Sequence, residues 1–232
     1  MEPKVIVGKT GEEVASELIK VVKNVVDVNP KSYIGLSGGS LPKFLAAGLK
    51  TDVGRSINWS QVTFLFCDER MVPITDPEST LGIYLNLLSD VIKEEQYLKV
   101  AVDLEVEAAA KDYEEKIKSR LGDKPQFDLL LLGMGPDGHT CSLFPGHGLL
   151  DEKDKIVAAI KDSPKPPAER VTLTLSVLND AKNLAFVSTG EGKKEMIKNV
   201  IKDKIDTFPA TRVRPNNGEL FWIVDEPAAS ML

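Results

Sequence analysis

The chain has 232 residues, 42% of them hydrophobic, with 29 Lys and Arg against 35 Asp and Glu, a formal net charge of −6 with both histidines neutral. That length and apolar content suffice for a sizeable buried core, which excludes a disordered chain or a mini-protein scaffold. The acidic balance, with no Lys/Arg block, excludes nucleic acid or an anionic membrane as the expected main partner, because both bind through clustered positive charge.

Short runs of β-branched and aliphatic residues alternate with longer amphipathic stretches, the rhythm of an α/β chain with a mostly parallel sheet flanked by helices. Val5 to Val7 predicts a first strand. Thr10, with Glu13 three residues on, predicts a capping box opening a helix that carries Val14, Leu18, Val21, Val22 and Val25 on one face; Asn29-Pro30 stops it. A strand over Tyr33 to Leu36 runs into Ser37-Gly38-Gly39-Ser40, and a helix over Leu41 to Leu49 comes next with Pro42 in its first turn. The strand Val62 to Cys67 ends in Asp68-Glu69-Arg70. Helical composition returns over Ser79 to Ile92 and over Val106 to Leu121, where Gly122 is the stop. Phe127 to Leu132 is nearly all apolar, as a central parallel strand buried on both faces is, and it discharges into Gly133-Met134-Gly135-Pro136-Asp137-Gly138-His139. Strands over Lys155 to Ile160, Arg170 to Leu175, Asn183 to Ser188 and Glu219 to Val224 are expected beyond it. Between them lie a three-proline loop over Lys161 to Ala168 and a helix from about Gly192 to Lys202. With no repeat, low-complexity tract or linker, residues 1 to 232 are read as a single domain.

Cys67 and Cys141 are the only cysteines, far apart and in no CxxC pair, so neither a disulfide framework nor a thiolate metal site is expected. The N-terminal Met1-Glu2-Pro3-Lys4 leads into a three-residue apolar run rather than a signal sequence. No stretch approaches the roughly 18 apolar residues of a membrane span. The expected compartment is a reducing one, the cytoplasm.

In an open parallel sheet, ligands bind beyond the carboxyl ends of the strands. At the first such end, the two glycines of Ser37-Gly38-Gly39-Ser40 let backbone N–H groups approach an anion, and the next helix adds its positive end: half of a phosphate cradle. The alternative is a tight turn with Ser40 as N-cap. No Gly-Lys-Ser/Thr comes after it, so a nucleoside triphosphate is not suggested. Gly133, Gly135 and Gly138 reproduce the spacing GxGxxG, but Pro136, Asp137 and His139 stand where a pyrophosphate would sit, and a carboxylate there would repel it.

Both histidines, His139 and His147, lie in one segment. Imidazole, with an unperturbed pKa near 6.5, accepts a proton at neutral pH, and a nearby carboxylate can hold its tautomer. Asp137 and His139 have the spacing for such a dyad, and equally for a helix cap with an exposed first-turn histidine; His147, after Pro145-Gly146, reads as a surface loop. No GxSxG or HExxH motif and no metal-type Cys/His cluster occurs, and Cys141 reads as inert packing. Arg70, Arg170 and Lys193 are individually surface charges, but together with a helix N-terminus they make a set a phosphate dianion favours. Arg170 reaches the same rim only if its strand runs antiparallel to the others.

Five blocks resemble, in order, those of 6-phosphogluconolactonases, and the likeness runs over nearly the whole chain. They are Ser37-Gly38-Gly39-Ser40-Leu41-Pro42, Cys67-Asp68-Glu69-Arg70-Met71-Val72-Pro73, Gly133 through Gly146, Pro166-Pro167-Ala168-Glu169-Arg170-Val171-Thr172-Leu173-Thr174, and Gly190-Glu191-Gly192-Lys193-Lys194. The Gly-Gly-Ser turn and the late lysine are shared with the wider glucosamine-6-phosphate deaminase and ribose-5-phosphate isomerase superfamily. The resemblance implies a modified Rossmann-like sheet and hydrolysis of 6-phospho-D-glucono-1,5-lactone to 6-phosphogluconate, without metal or organic cofactor, in a protein expected to be a monomer. By the same resemblance His139 is the general base and Asp137 orients it. Gly38, Gly39, Ser40, Arg170 and Lys193 hold the phosphate, and Asp68 and Arg70 line the sugar pocket. Arg70 and loop N–H groups near Gly135 are the two candidates for the oxyanion.

Three departures and two rivals remain. Ser79-Thr80 stands where relatives commonly have Ser-Asn, and Pro136 and Cys141 replace a more usual acid and alanine. An amino-sugar-phosphate deaminase or isomerase with Asp68 as base would need a further acid after the histidine loop, and Phe144-Pro145-Gly146-His147-Gly148 offers none. A sugar-phosphate sensor would bind without turnover.

Overall fold

Thr10 caps the first helix as its sequence predicts: the hydroxyl accepts the Glu13 N–H at 3.2 Å, while the Glu13 carboxylate accepts the N–H of Lys9, one residue before the cap, at 2.7 Å. The computed structural model describes residues 2–232. Its first half runs β1 (Lys4–Gly8), α1 (Gly11–Val28), β2 (Ser32–Leu36), α2 (Leu41–Leu49), α3 (Asp52–Arg55), β3 (Val62–Phe66), β4 (Asp68–Arg70), α4 (Thr80–Leu88), β5 (Tyr97–Leu98) and α5 (Val106–Leu121). The second half runs β6 (Leu129–Gly133), β7 (Val157–Ile160), β8 (Arg170–Leu173), α6 (Leu175–Asp180), β9 (Asn183–Ser188), α7 (Lys194–Ile197), α8 (Pro209–Arg212), β10 (Glu219–Asp225) and α9 (Glu226–Ala229).

Seven strands form one sheet in the order β1-β10-β9-β6-β2-β3-β5, and every pairing in it is parallel. Leu129 to Leu132 at its centre are fully buried, which explains their unbroken apolar run. Each such side chain contributes about 1.5–3 kcal/mol by leaving water. One continuous buried cluster extends from Val14 on α1 to Ala228 on α9, with Phe186 and Trp222 stacked at 4.2 Å on neighbouring strands. Among the described residues no helix is long and apolar enough to cross a membrane.

The Asp68-Glu69-Arg70 tail is not the end of a strand, as expected, but β4 of a second, antiparallel sheet ordered β4-β8-β7. Cys67 is the pivot: its N–H donates to Leu36 O in the large sheet (2.8 Å), and its carbonyl accepts from Leu173 in the small one (2.8 Å). The buried carboxylate of Glu69 anchors the start of α4: it accepts the N–H groups of Arg70, Thr80 and Leu81 at 2.7–2.8 Å, so it caps that helix from 11 residues upstream. Burial pushes this carboxyl above the usual carboxylate range, against those three bonds. Two expected elements change form. The strand from Arg170 stops at Leu173, Leu175 opening α6, and the helix over 192–202 is a single tight turn, α7 and a π-helical turn over Lys198–Lys202.

Candidate active site

At the end of β2 the chain turns through Ser37-Gly38-Gly39-Ser40 into α2. Gly39 has φ +72°, a conformation glycine adopts without strain, and a Cβ on Gly38 would lie 3.4 Å from the Thr80 hydroxyl and 3.8 Å from the Arg70 guanidinium. Ser40 precedes the helix but makes no side-chain cap. Its hydroxyl is therefore not taken up by the helix, and Ser40 stands with Ser37, Gly38 and Gly39 on the rim of a cavity of about 250 Å³ that also receives the ends of β4, β6 and β9.

The loop after β6 forms no helix, which removes the capping reading of Asp137. It closes on itself instead: Gly135 N–H donates to His139 O at 2.9 Å and Gly138 N–H to Gly135 O at 3.1 Å. These bonds bring Asp137 Oδ1 to 2.5 Å from His139 Nδ1. A Cβ on Gly135 would fall 2.0 Å from the imidazole and 2.6 Å from that carboxylate oxygen, so only glycine leaves room for the dyad. The ring packs on Phe144 at 4.8 Å and faces the cavity. Burial holds the imidazole below its ordinary pKa, against the attraction of Asp137. Burial also pushes the Asp137 carboxyl up, but the bonds and charges of His139 and Lys165 outweigh it and bring it down to about 2. With Nδ1 facing a carboxylate, Nε2 is the nitrogen able to accept a proton.

The antiparallel run of β8 places Arg170 on the same rim, opposite Arg70 in the strand register. Its guanidinium is engaged in the 165–167 turn: Nη2 donates to the carbonyls of Lys165 (2.8 Å) and Pro166 (3.2 Å), and Nε to that of Pro167 (3.0 Å). Nη1 donates to Ser142 Oγ at 3.4 Å, which in turn donates to Asp68 Oδ2 at 2.9 Å. Arg70 Nη1 is held by the Glu78 carbonyl at 2.7 Å. Lys193 Nζ donates to Met134 O at 2.7 Å, and burial lowers its pKa. Asp68 Oδ1, Arg70 Nε and Ser188 Oγ are buried without a protein partner in residues that line the cavity. Such atoms point to a polar ligand, because a buried polar group without a hydrogen bond is costly.

The structure thus brings Gly38, Gly39, Ser40, Asp68, Arg70, His139, Arg170 and Lys193 onto one cavity, with Asp137 behind His139. His147 stays apart, paired with Asp162 at 3.1 Å. The Gly135 and Gly138 N–H groups, engaged within their loop, are not free to bind an oxyanion. Ser188 stands at a predicted strand end beside the cavity, where the sequence assigned it no role; Ser142 and Lys165 were missed and carried no signal. Among the described residues no group of three or more His, Cys, Asp or Glu side chains converges as metal ligands.

A family model described as glucosamine-6-phosphate isomerases/6-phosphogluconolactonase matches residues 8–222. The rat protein named 6-phosphogluconolactonase is 51% identical over 205 residues, covering 86% of this chain and 80% of the rat one. The human protein of that name is 50% identical over 206 residues with the same coverage. The solved structure of 6-phosphogluconolactonase from Trypanosoma cruzi superposes with a TM-score of 0.87 at 29% identity, over 100% of this chain and 98% of that one. From the matched blocks, the fold and these relatives together, the chain belongs to the glucosamine-6-phosphate isomerase/6-phosphogluconolactonase family.

Proposed function

We propose that this protein is a 6-phosphogluconolactonase that hydrolyses 6-phospho-D-glucono-1,5-lactone to 6-phospho-D-gluconate, with His139 as its general base. The observation that carries the reading is the Asp137–His139 dyad opening on the same cavity as a glycine turn, a helix N-terminus and Lys193. Gly38, Gly39, Ser40 and Lys193 take the phosphate, with Arg170 Nη1 beside them, and Asp68 and Ser188 take sugar hydroxyls. His139 Nε2 removes a proton from water as its oxygen attacks C1. The carbonyl oxygen becomes an oxyanion beside Arg70 Nε–H, an otherwise unpartnered donor. Collapse breaks the bond between C1 and the ring oxygen, which takes the proton back from the imidazolium and leaves the carboxylic acid. No covalent intermediate, metal or organic cofactor is required, because a lactone is an activated ester and one placed base is worth roughly 10²–10⁴ in rate.

The 51% identity to the rat enzyme supports the substrate. Two free buried cysteines fit the cytoplasm. The test is disappearance of freshly generated lactone, corrected for spontaneous hydrolysis, with wild type and His139→Ala side by side. Fast turnover lost in the variant is expected, with an acid limb of kcat/KM below pH 6.5, since burial lowers the imidazole pKa. Turnover kept in the variant would move the base elsewhere, and none in the wild type would refute the reaction.

A further inference from the structure

The dyad has a third member. Lys165 Nζ lies 3.1 Å from Asp137 Oδ1 and 3.0 Å from His139 Nδ1, on the edge of the ring turned away from the cavity, and Lys165 does not itself line the cavity. Four other lysine pairs are neighbours on one helix, where long side chains meet by chance of spacing and contribute little. This one is held in place. Ser163 Oγ and Arg170 Nη2 both donate to the Lys165 carbonyl at 2.8 Å, and Ser163 N–H closes the turn on Ala168 O at 3.1 Å. The buried guanidinium of Arg170 is thereby a strut that aims Lys165 at the dyad, across Phe144.

We propose that Lys165 is a positioning residue of the active site, whose cation fixes Asp137 and offsets its charge so that His139 stays a neutral base with Nε2 open to the cavity. A carboxylate at hydrogen-bond distance favours imidazolium, and an imidazolium cannot accept a proton. The Lys165 ammonium donates to Asp137 Oδ1 and stands 3.0 Å from Nδ1, so it counters that attraction through its charge while Nδ1–H keeps donating to the carboxylate. The charged groups facing the imidazole are Asp137, Lys165 and Asp68, with Lys193 acting on Asp137 and Lys165, and Arg170 behind Phe144. Among them Lys165 is the cation in direct contact with the ring.

The proposal rests on the lactonase reading only for the identity of the base, and its test has a readout that needs no substrate. The chain has two histidines, so nitrogen-15 imidazole spectra resolve both, and His147, paired with Asp162, is an internal reference. Lys165→Met is expected to raise the His139 titration midpoint by about one pH unit, the water-screened effect of removing a unit charge at that distance. Lys165→Arg, which keeps the cation, is expected to restore it, with His147 unmoved in both. The acid limb of kcat/KM should move up with the midpoint, so that the loss in Lys165→Met is large at pH 6 and shrinks by pH 8. A His139 midpoint within about 0.3 pH unit of wild type would overturn the proposal, as would a rise in KM alone, which would make Lys165 a substrate contact. A midpoint that moves as expected in a protein without lactone turnover would sustain the coupling and refute the lactonase reading.

Discussion

Gly135 offers the sharpest perturbation of the candidate site, because alanine there adds a single methyl group aimed at the dyad. Its backbone lies outside the left-handed region, so alanine meets no conformational penalty of its own. The added Cβ would lie 2.0 Å from His139 Nδ1 and Cε1, whereas ordinary contact begins near 3.4 Å, so the ring must retreat by about 1.4 Å or turn away. A misplacement of ~1 Å in a catalytic group lowers rate by about 10²-fold, or ~2.7 kcal/mol of barrier. Gly135→Ala is therefore expected to lower kcat at least a hundredfold. The loop itself can yield, so the melting temperature should fall only by about 2–4 °C, corresponding to ~1 kcal/mol in a protein of this size. Initial rates on freshly generated lactone and a thermal melt measure both. A variant retaining kcat/KM within about threefold of wild type would refute the claim that this glycine sets the position of the base.

Asp137→Asn should lower kcat by roughly 10²–10⁴ through loss of tautomer control. It should also change acid stability: the folded carboxyl titrates near 2, below its unfolded value of 3.8, so its stabilisation is complete above pH 3.8 and disappears as pH falls toward 2. Urea melts across that window should slope less in the variant, and equal slopes would refute the assignment. Lys193→Glu should raise KM by about ten- to a hundredfold, the worth of a charge-assisted phosphate contact, and lower kcat less; a change confined to kcat would make Lys193 catalytic instead. Glu69→Gln keeps the shape but turns an amide donor toward one of the three N–H groups the carboxylate serves, so it should cost about 1–3 kcal/mol and lower the melting temperature by roughly 2–12 °C. An unchanged melting temperature would show that the α4 cap does not depend on this charge.

Much of the candidate site is legible in the sequence, for a local reason. Gly38, Gly39 and Ser40 come after a strand and precede a helix, and Asp137 and His139 come after the most apolar strand in the chain; in a parallel sheet both turns must emerge at the same end. What remained open was whether Asp137 bonded the imidazole or capped a helix, since spacing permits both, and the turn bonds of Gly135 and Gly138 decide it. Arg170 depended on a strand direction that its own residues do not encode. Lys165 and its partners in the dyad are 26 and 28 residues apart in sequence, and a lysine in a proline-rich loop has the composition of any solvated surface.

Alone, the order of residues determined the α/β class, the positions of nearly all the parallel strands and of α1, α2 and α5, and the two turns that carry the glycines and the histidine. These come from periodicity, caps and unbroken apolar runs, which act between residues close in the chain. Only the tertiary structure decided that Asp68–Arg70 crosses at Cys67 into a second sheet, that β8 runs antiparallel and so delivers Arg170, and that Lys165 meets the dyad. These arrangements rest on hydrogen bonds between segments up to about a hundred residues apart, such as Cys67 O with Leu173 N–H. The donors and acceptors involved are backbone groups common to every residue, so their partners are chosen by how the whole chain packs.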